Sequence, residues 1–332
     1  MNISKIIRQD REFGAFLECF KANMRKESPL PIVVNGLSGG ASNAFITETV
    51  VENSKESRLP VLILTADDTE RSELSAMLMR SGLRVAEYKA RELVFHNISA
   101  SHDIDRERLL VLSHIYDGTL DAIVTTPAAA LAYTMPKRIL EENSFVVRLG
   151  DEIAPEKMAE RLSSMGFASV DSVEARGQFA KRGGIVDFWG ADMPTPCRVE
   201  FFGDEVDRLA SFDPISQRAI DSVKEIFLLP AREVIVDKSA RKRICVEIEK
   251  LLKSTSISDE IRDRLENELA LAEGDLELNF KDKYLGLIYE NNSCLFDHYD
   301  IEKAPTVMVV GSNGCRENVE KYLSRLNSKK TE

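Results

Sequence analysis

Features that would place a protein in a membrane or outside the cell are absent from this sequence. No apolar run approaches the roughly 18 residues that a membrane-spanning helix requires. The first residues, Met1–Lys5, lead into no apolar segment of the kind found in a signal peptide. We therefore expect no membrane partner and a cytoplasmic location.

Cysteine and histidine are scarce and scattered. The sequence contains five cysteines and four histidines, with no CxxC pair and no HxxxH spacing. These residues are Cys19, Cys197, Cys245, Cys294, Cys315, His96, His102, His114 and His298. Zinc sites and disulfide frameworks depend on regular spacings of such residues. The pattern predicts reduced, structural thiols and no metal site.

Positive charge is also in deficit. The chain of 332 residues has 44 Lys and Arg against 55 Asp and Glu, which gives a net charge of -11. Binding to DNA without sequence preference relies on Lys and Arg that neutralise phosphates. The composition therefore argues against a chain that grips DNA along its whole surface, although a local basic patch is still allowed. The length suits two or three domains.

Alternating helices and strands dominate the first 142 residues. An amphipathic helix is predicted over 11–24, and later helices over 68–79 and 103–116, the former capped by Asp68 or Thr69. The predicted strands are Pro60–Leu64, Arg84–Tyr88 and Asp121–Thr125. Strands that alternate with helices form parallel sheets with right-handed crossovers. The fold class is therefore α/β, with residues 1–142 as a parallel-sheet domain.

A glycine-rich loop in this domain has the frame of a P-loop. Pro31–Gly36 is predicted to be a buried strand, and a helix is expected from about 43 to 54. The loop residues are Gly36, Gly39, Gly40, Ala41, Ser42 and Asn43. A working Walker A motif needs Gly, Lys and Ser or Thr at the last three of these positions. The sequence therefore predicts a degenerate nucleotide loop without ATP hydrolysis, whose helix N-terminus could still hold another anion.

No Walker B motif compensates for this loss. The nearest Asp-Glu pair, Asp151-Glu152, follows the apolar run Phe145–Leu149 after an interruption by Arg148 and Gly150. This arrangement is more typical of a loop after a strand than of a Walker B motif.

The segment from Arg176 to Arg218 is rich in β-formers. Strands are predicted at 185–189 and 198–202, followed by Gly203-Asp204, a type II′ hairpin signal. This sheet would place Arg176, Arg182 and Arg198 on one surface. We assign residues 143–213 to a small α+β insert domain that splits the core, and 214–332 to a return segment with strands and charged helices.

Three blocks in this segment resemble a known module. RGxFxxRGGIVDF at 176–188, RVEFFGDEVDxL at 198–209 and FDPxSQR at 212–218 resemble the module shared by the excision-repair protein UvrB and the transcription-repair coupling factor, Mfd. UvrB has an intact Walker A motif and a tyrosine-rich, DNA-holding β-hairpin. Here the Walker A motif is broken, and the corresponding segment, 95–108, is short and has no tyrosine. The chain thus resembles the N-terminal, UvrB-like region of Mfd, with a degenerate core like UvrB domain 1.

The resemblance implies a function in transcription-coupled nucleotide excision repair. It implies a non-enzymatic adaptor that recruits UvrA to RNA polymerase stalled at DNA damage. The family positions for UvrA binding match Arg176, Phe179, Arg182 and Phe188. In the family, contacts with RNA polymerase and DNA, and the use of ATP and Mg, belong to downstream domains, so this chain resembles an N-terminal fragment without a cofactor of its own. The alternative is a UvrB-type, ATP-dependent protein that binds damaged DNA.

Simpler interpretations of the same residues compete with this one. Alternation along the strands allows Phe188, Phe201 and Phe202 to be sheet core, and leaves Phe179 undecided. Arg198 and Glu200 share a strand face and could merely pair with neighbours. Arg182 precedes Gly183-Gly184, where a bend or bulge would turn it outward, and is the strongest candidate for a partner contact.

Overall fold

A computed structural model describes residues 6–27, 29–91, 102–254, 257–274, 278, 281–289, 291–300 and 304–328. The chain divides into two compact units. The first unit comprises Met1–Ala90, Val111–Ala132 and Tyr299–Glu332, and the second comprises Arg91–Leu110 and Tyr133–His298. The predicted return segment therefore divides between both units, since only its end lies in the first.

The elements are numbered in chain order. Up to residue 142 they are α1 (Arg11–Met24), α2 (Gly39–Glu56), β1 (Val61–Leu64), α3 (Asp68–Arg80), β2 (Val85–Tyr88), α4 (His102–Ser113), β3 (Ala122–Thr125), α5 (Pro127–Leu131) and α6 (Lys137–Glu142). The next are β4 (Phe145–Arg148), α7 (Pro155–Ser164), β5 (Ala168–Ser169), β6 (Gln178–Arg182), β7 (Ile185–Phe188), β8 (Cys197–Phe202), β9 (Glu205–Phe212), β10 (Ala219–Ser222) and β11 (Glu225–Leu228). The last are α8 (Lys238–Leu252), α9 (Asp259–Glu273), α10 (Leu285–Ile288), β12 (Val307–Val309) and α11 (Ser312–Ser328).

The first unit is built on a parallel sheet of four strands in the order β12-β1-β3-β2. Leu62 of β1 is the partner of Val307 on one side and of Ile123 on the other. The sheet packs against helices through buried residues such as Val50, Val61 and Leu78. The predicted α/β class with a parallel sheet is confirmed. The N-cap of α3 is Asp67, whose Oδ1 accepts a hydrogen bond from the Glu70 amide, rather than Asp68 or Thr69.

The predicted strand at Pro31–Gly36 is wrong. This segment is exposed, with Val33 at 77% of its full accessibility, and within the described residues it forms no ladder with β12. It borders a groove of about 780 Å³ that α1 and β12 also line. Valine and isoleucine favour strands only where a neighbouring strand and a packed face are supplied. Helix α2 also begins at Gly39, four residues before the predicted start at 43.

The second unit contains a six-stranded sheet in the order β10-β9-β8-β7-β6-β5, antiparallel except for β5 and β6. A separate antiparallel pair joins β4 to β11. Ile226 and Leu228 of β11 share one core with Val147, Val199 and other residues of this region. The strands that follow residue 213 thus belong with the predicted insert, because their pairing partners lie in it.

Two tight turns fix the register of this sheet. Arg182 pairs with Ile185 across Gly183-Gly184, and Phe202 pairs with Glu205 across Gly203-Asp204. Gly203 has φ +63°, while Asp204 has a negative φ, as the predicted type II′ turn requires.

A fully buried ion pair ties distant parts of the second unit together. Arg108 donates to Glu233 through Nε at 2.7 Å and Nη2 at 2.9 Å, and neither side chain is exposed to solvent. Thr134 also donates to Glu233, at 2.5 Å. Burial by itself would raise the pKa of Glu233, but Arg108, with smaller contributions from Arg91 and Thr134, outweighs burial and holds that pKa below its usual value.

No helix in the part of the chain that the structure describes is both long and apolar enough to cross a membrane.

Candidate functional site

The six-stranded sheet has two faces of different chemistry. On its core face, Phe179 pairs with Phe188, and these rings are 4% and 0% exposed. They pack with Val186 and Val199 in the main hydrophobic core of the second unit. The structure therefore does not bring Phe179 or Phe188 to the surface, and the apolar anchor expected at these positions must lie elsewhere.

The opposite face, called the outer face here, carries charged side chains beside a small buried apolar cluster that includes Ala180 and Phe212. Its other residues on β6 to β9 include Arg182, Ile185, Asp187, Arg198, Glu200, Phe202 and Arg208. Asp187 is fully buried at its centre. Arg198 binds it with both a 2.7 Å contact from Nε and a 2.9 Å contact from Nη2, and Arg182 adds a third contact of 2.6 Å. One carboxylate thus holds two guanidinium groups, a charge-assisted arrangement with fixed geometry.

The two arginines differ in exposure. The side chain of Arg198 is 19% exposed, and its guanidinium carbon lies 4.8 Å from the centre of the Phe212 ring. Its hydrogen bonds to Asp187 raise its pKa above the usual value. The side chain of Arg182, in contrast, is half exposed at the end of β6. Arg182 is therefore free to use its remaining donors on a partner, while Arg198 supports it.

A second charged pair and an exposed ring complete this face. Arg208 donates to Glu200 at 3.0 Å across neighbouring strands, so the interpretation that Arg198 and Glu200 pair with neighbours is confirmed. Phe202, at the tip of the β8–β9 hairpin, is 81% exposed. The expectation that Phe202 is core is wrong, because it alternates with Arg198 and Glu200 toward the outer face. Phe201, one residue earlier, packs against the core.

Arg176 lies apart from this group. Its Nη2 donates to the Met193 carbonyl at 3.1 Å, and its guanidinium stands over the Trp189 ring. It is exposed but helps to fix the loop after β7, so it does not share the Asp187 network that joins Arg182 to Arg198. Trp189 itself packs against the sheet.

Sequence reasoning missed Phe202 and Asp187 as parts of the site. Strict alternation along β8 would have found Phe202, since Arg198, Glu200 and Phe202 occupy every second position. No sequence signal marks Asp187 as the buried centre, because its role depends on an arginine eleven residues away on another strand.

The glycine-rich loop provides a second, weaker candidate. Gly36 and Gly39 have φ of +85° and +52°, and the first turn of α2 carries Gly40, Ala41 and Ser42. Ser38, at the N-cap, makes no side-chain hydrogen bond to the helix.

The cavity beside this loop has acidic walls. It has a volume of about 710 Å³ and is lined by Ser42, Asn43, Glu70 and Glu73, with Arg80 at a further position. Two carboxylates next to a helix N-terminus oppose the binding of phosphate groups.

The Asp151-Glu152 pair lies in a loop after β4. The Asp151 carboxylate accepts a hydrogen bond from the Arg148 amide at 2.7 Å, and Glu152 forms an isolated antiparallel β-bridge with Glu205.

Comparison with known proteins identifies the region that contains the outer face. Residues 145–234 match the family model described as "UvrB interaction domain". This match covers the strands from β4 to β11, including those after residue 213.

Curated relatives extend the similarity along the chain. The transcription-repair-coupling factor of Bacillus subtilis is 26% identical over 308 residues, which is 90% of this chain and 25% of that protein. The factor of Myxococcus xanthus is 32% identical over 196 residues, or 56% of this chain and 16% of that protein. The Escherichia coli factor is 27% identical over 208 residues, or 61% and 18%. The chain spans about a quarter or less of these relatives, and the predicted resemblance to the UvrB-like N-terminal region of such factors is confirmed.

Proposed function

We propose that this chain is an adaptor in transcription-repair coupling that recruits UvrA to RNA polymerase stalled at DNA damage. The observation that carries the proposal is the outer face of the six-stranded sheet, which lies inside the segment matched to the UvrB interaction domain. Contacts with RNA polymerase and DNA would belong to parts of the longer relatives that this chain does not span.

The proposed contact surface joins Arg182 to Phe202 through the charged pairs between them. Arg182 supplies a planar, half-exposed guanidinium whose orientation is fixed by Asp187. Phe202 supplies an apolar ring that is solvent-exposed without a partner. Arginine and aromatic side chains with restricted rotamers are the residue types that contribute most to protein interfaces. Phe202 thus takes the role of apolar anchor that Phe179 and Phe188 cannot fill from the core.

The adaptor is proposed to act without nucleotide hydrolysis. Phosphoryl transfer depends on a Lys at the β/γ-phosphates and on a hydroxyl that binds Mg²⁺, and the loop presents Ser42 and Asn43 in these places. The carboxylates of Glu70 and Glu73 line the cavity where phosphates would sit. The geometry therefore favours the adaptor over the alternative, an ATP-dependent protein that binds damaged DNA.

The test is a titration of the chain with UvrA by calorimetry or biolayer interferometry. Arg182→Glu is expected to raise Kd by about thirtyfold, and Phe202→Ala by about tenfold, as hot-spot contacts would. Arg148→Glu is the matched control, because Arg148 is a half-exposed arginine that pairs with Glu225 on the separate β4–β11 sheet. Its Kd should stay within about twofold of the native value.

Thermal unfolding of each variant separates binding from folding. Phe202 is exposed, so Phe202→Ala should shift stability by no more than about 0.5 to 1 kcal/mol. Arg182→Glu sets a carboxylate beside the buried Asp187 and is expected to cost more, so its binding is measured well below its Tm. Absence of saturable binding by the native chain would refute the proposed function. Binding that neither substitution alters would keep UvrA as the partner but remove the outer face as its site.

A further inference from the structure

The loop between β9 and β10 contains an unusual backbone conformation. Among the residues that the structure describes, Gln217 is the single non-glycine residue with a positive φ, +58°. A side chain in this region costs roughly 1 kcal/mol or more per residue. Such strain persists only where surrounding contacts impose it, and it concentrates at functional positions.

Hydrogen bonds within the loop hold this conformation. The Gln217 amide donates to the Asp213 carbonyl at 2.8 Å, and the Asp213 amide donates to the Arg218 carbonyl at 2.9 Å. The Asp213 carboxylate accepts from the Ser216 amide at 2.6 Å, and the Gln217 side chain donates to the Pro214 carbonyl at 2.8 Å. The loop from Asp213 to Arg218 is thus closed on itself and has little freedom to rearrange.

The loop is also joined to the outer face. Arg198, held by two bonds to the buried Asp187, donates to the Gln217 carbonyl and to its side-chain Oε1, both at 3.4 Å. Arg182 binds the same carboxylate. A continuous chain of contacts therefore runs from Arg182 through Asp187 and Arg198 to the loop.

The loop exposes one apolar side chain to solvent. Ile215, two residues before Gln217, is 93% exposed. A single exposed isoleucine is ordinary on a protein surface. Here, however, the loop that carries it is held from two sides, by the bonds that Gln217 makes within the loop and by Arg198, which ties the loop to the outer face.

We infer that Ile215 is a second apolar contact of the UvrA-docking surface, and that Asp187, Arg198 and Gln217 are positioning residues that pre-form it. The inference rests on the proposed function and extends the surface beyond Arg182 and Phe202. The partner surface that fits is an apolar socket bordered by carboxylates, which would face the exposed Arg182 and Arg218. Pre-forming the loop lowers the ordering cost of association.

The test adds three variants to the UvrA titration. Ile215→Ala should raise Kd by about tenfold with unchanged thermal stability, because its side chain touches solvent in the free chain. Gln217→Gly should raise Kd by about fivefold while Tm stays the same or rises, since glycine relieves the strain but frees the loop. Ile220→Ala is the matched control, because Ile220 is a half-exposed isoleucine on β10 at the edge of the sheet, and its Kd should not change.

The Gln217 variant separates positioning from folding. A residue with a merely structural role would lower Tm and affinity together, and that result would overturn the inference. Native binding that Arg182→Glu weakens but Ile215→Ala does not would also overturn it, while leaving the proposed function intact. No binding by the native chain would instead remove the proposed function itself, and the inference with it.

Discussion

The glycine-rich loop of the first unit and the outer face of the second unit both stand out in the sequence, but their structures differ in kind. Around the loop, the predicted strand is absent, the N-cap side chain makes no helix contact, and Glu70 and Glu73 occupy the cavity wall. On the outer face, each charge is placed by another charge, from Arg182 and Arg198 on Asp187 to Arg208 on Glu200.

The difference is one of side-chain organisation. Glycines can keep the turn of a P-loop after the groups that bind phosphate and Mg²⁺ have been lost, because the turn needs only positive φ. A surface that binds a protein partner needs its side chains held in advance. The ion pairs hold the side chains of the outer face in this way, whereas Ser38 at the start of the loop helix makes no side-chain hydrogen bond to it.

The largest expected loss of stability concerns the buried ion pair between Arg108 and Glu233 in the second unit. Glu233→Ala leaves Arg108 buried without its carboxylate, and we expect a loss of about 3–5 kcal/mol in the free energy of unfolding, measured by urea denaturation. The control in the first unit is Glu73→Ala, an exposed residue of the loop cavity, with an expected change within about 0.5 kcal/mol. Equal losses in both variants would mean that the buried carboxylate of Glu233 contributes no more to stability than the exposed carboxylate of Glu73.

The same pair predicts the response to acid. Because the folded pKa of Glu233 lies below its usual value of 4.5, its contribution to stability is present above that pH and is lost as pH falls through the folded value. The double variant Arg108→Met/Glu233→Leu removes both charges. Its stability should fall less steeply below about pH 4.5 than that of the native chain. Parallel pH profiles would contradict this assignment.

The next test compares two valines, one in a strand of the six-stranded sheet and one in the predicted strand at residues 31–36. Val199 is fully buried in β8, and Val199→Ala should cost about 2 kcal/mol through lost packing. Val33 is exposed in the segment that forms no strand, and Val33→Ala should stay within about 0.5 kcal/mol. A cost at Val33 similar to that at Val199 would show that residues 31–36 are packed as a strand after all.

The smallest expected effect concerns nucleotide binding. We predict that millimolar Mg-ATP shifts the Tm of the native chain by less than about 1 °C, since a ligand stabilises only in proportion to its binding. Ser42→Lys/Asn43→Thr, which rewrites the two missing Walker positions, should also show no shift, because residues 31–36 form no strand and Glu70 and Glu73 line the cavity. A clear shift for the native chain would revive the ATP-dependent alternative.

Local patterns predicted much of the fold. The helix at 11–24, the strands β1 to β3 of the parallel sheet and the Gly203-Asp204 hairpin all lie within a few residues of their predicted places. The helix and the hairpin depend on signals close in sequence, such as a cap, an apolar period or a turn. The segment at 31–36 failed because strand formation needs a partner strand that composition cannot supply. The hairpin region before residue 102 lies outside the described residues.

The sequence by itself determined the α/β class, the absence of a Walker lysine at Ser42 and the resemblance carried by residues 176–218, because these are properties of residue type and order. Only the tertiary structure decided which side chains are exposed. It buried Phe179 and Phe188 and exposed Phe202 and Ile215. The physical reason is that exposure and ion pairing depend on residues brought together across strands, as Asp187 and Arg198 are, and not on neighbours in the chain.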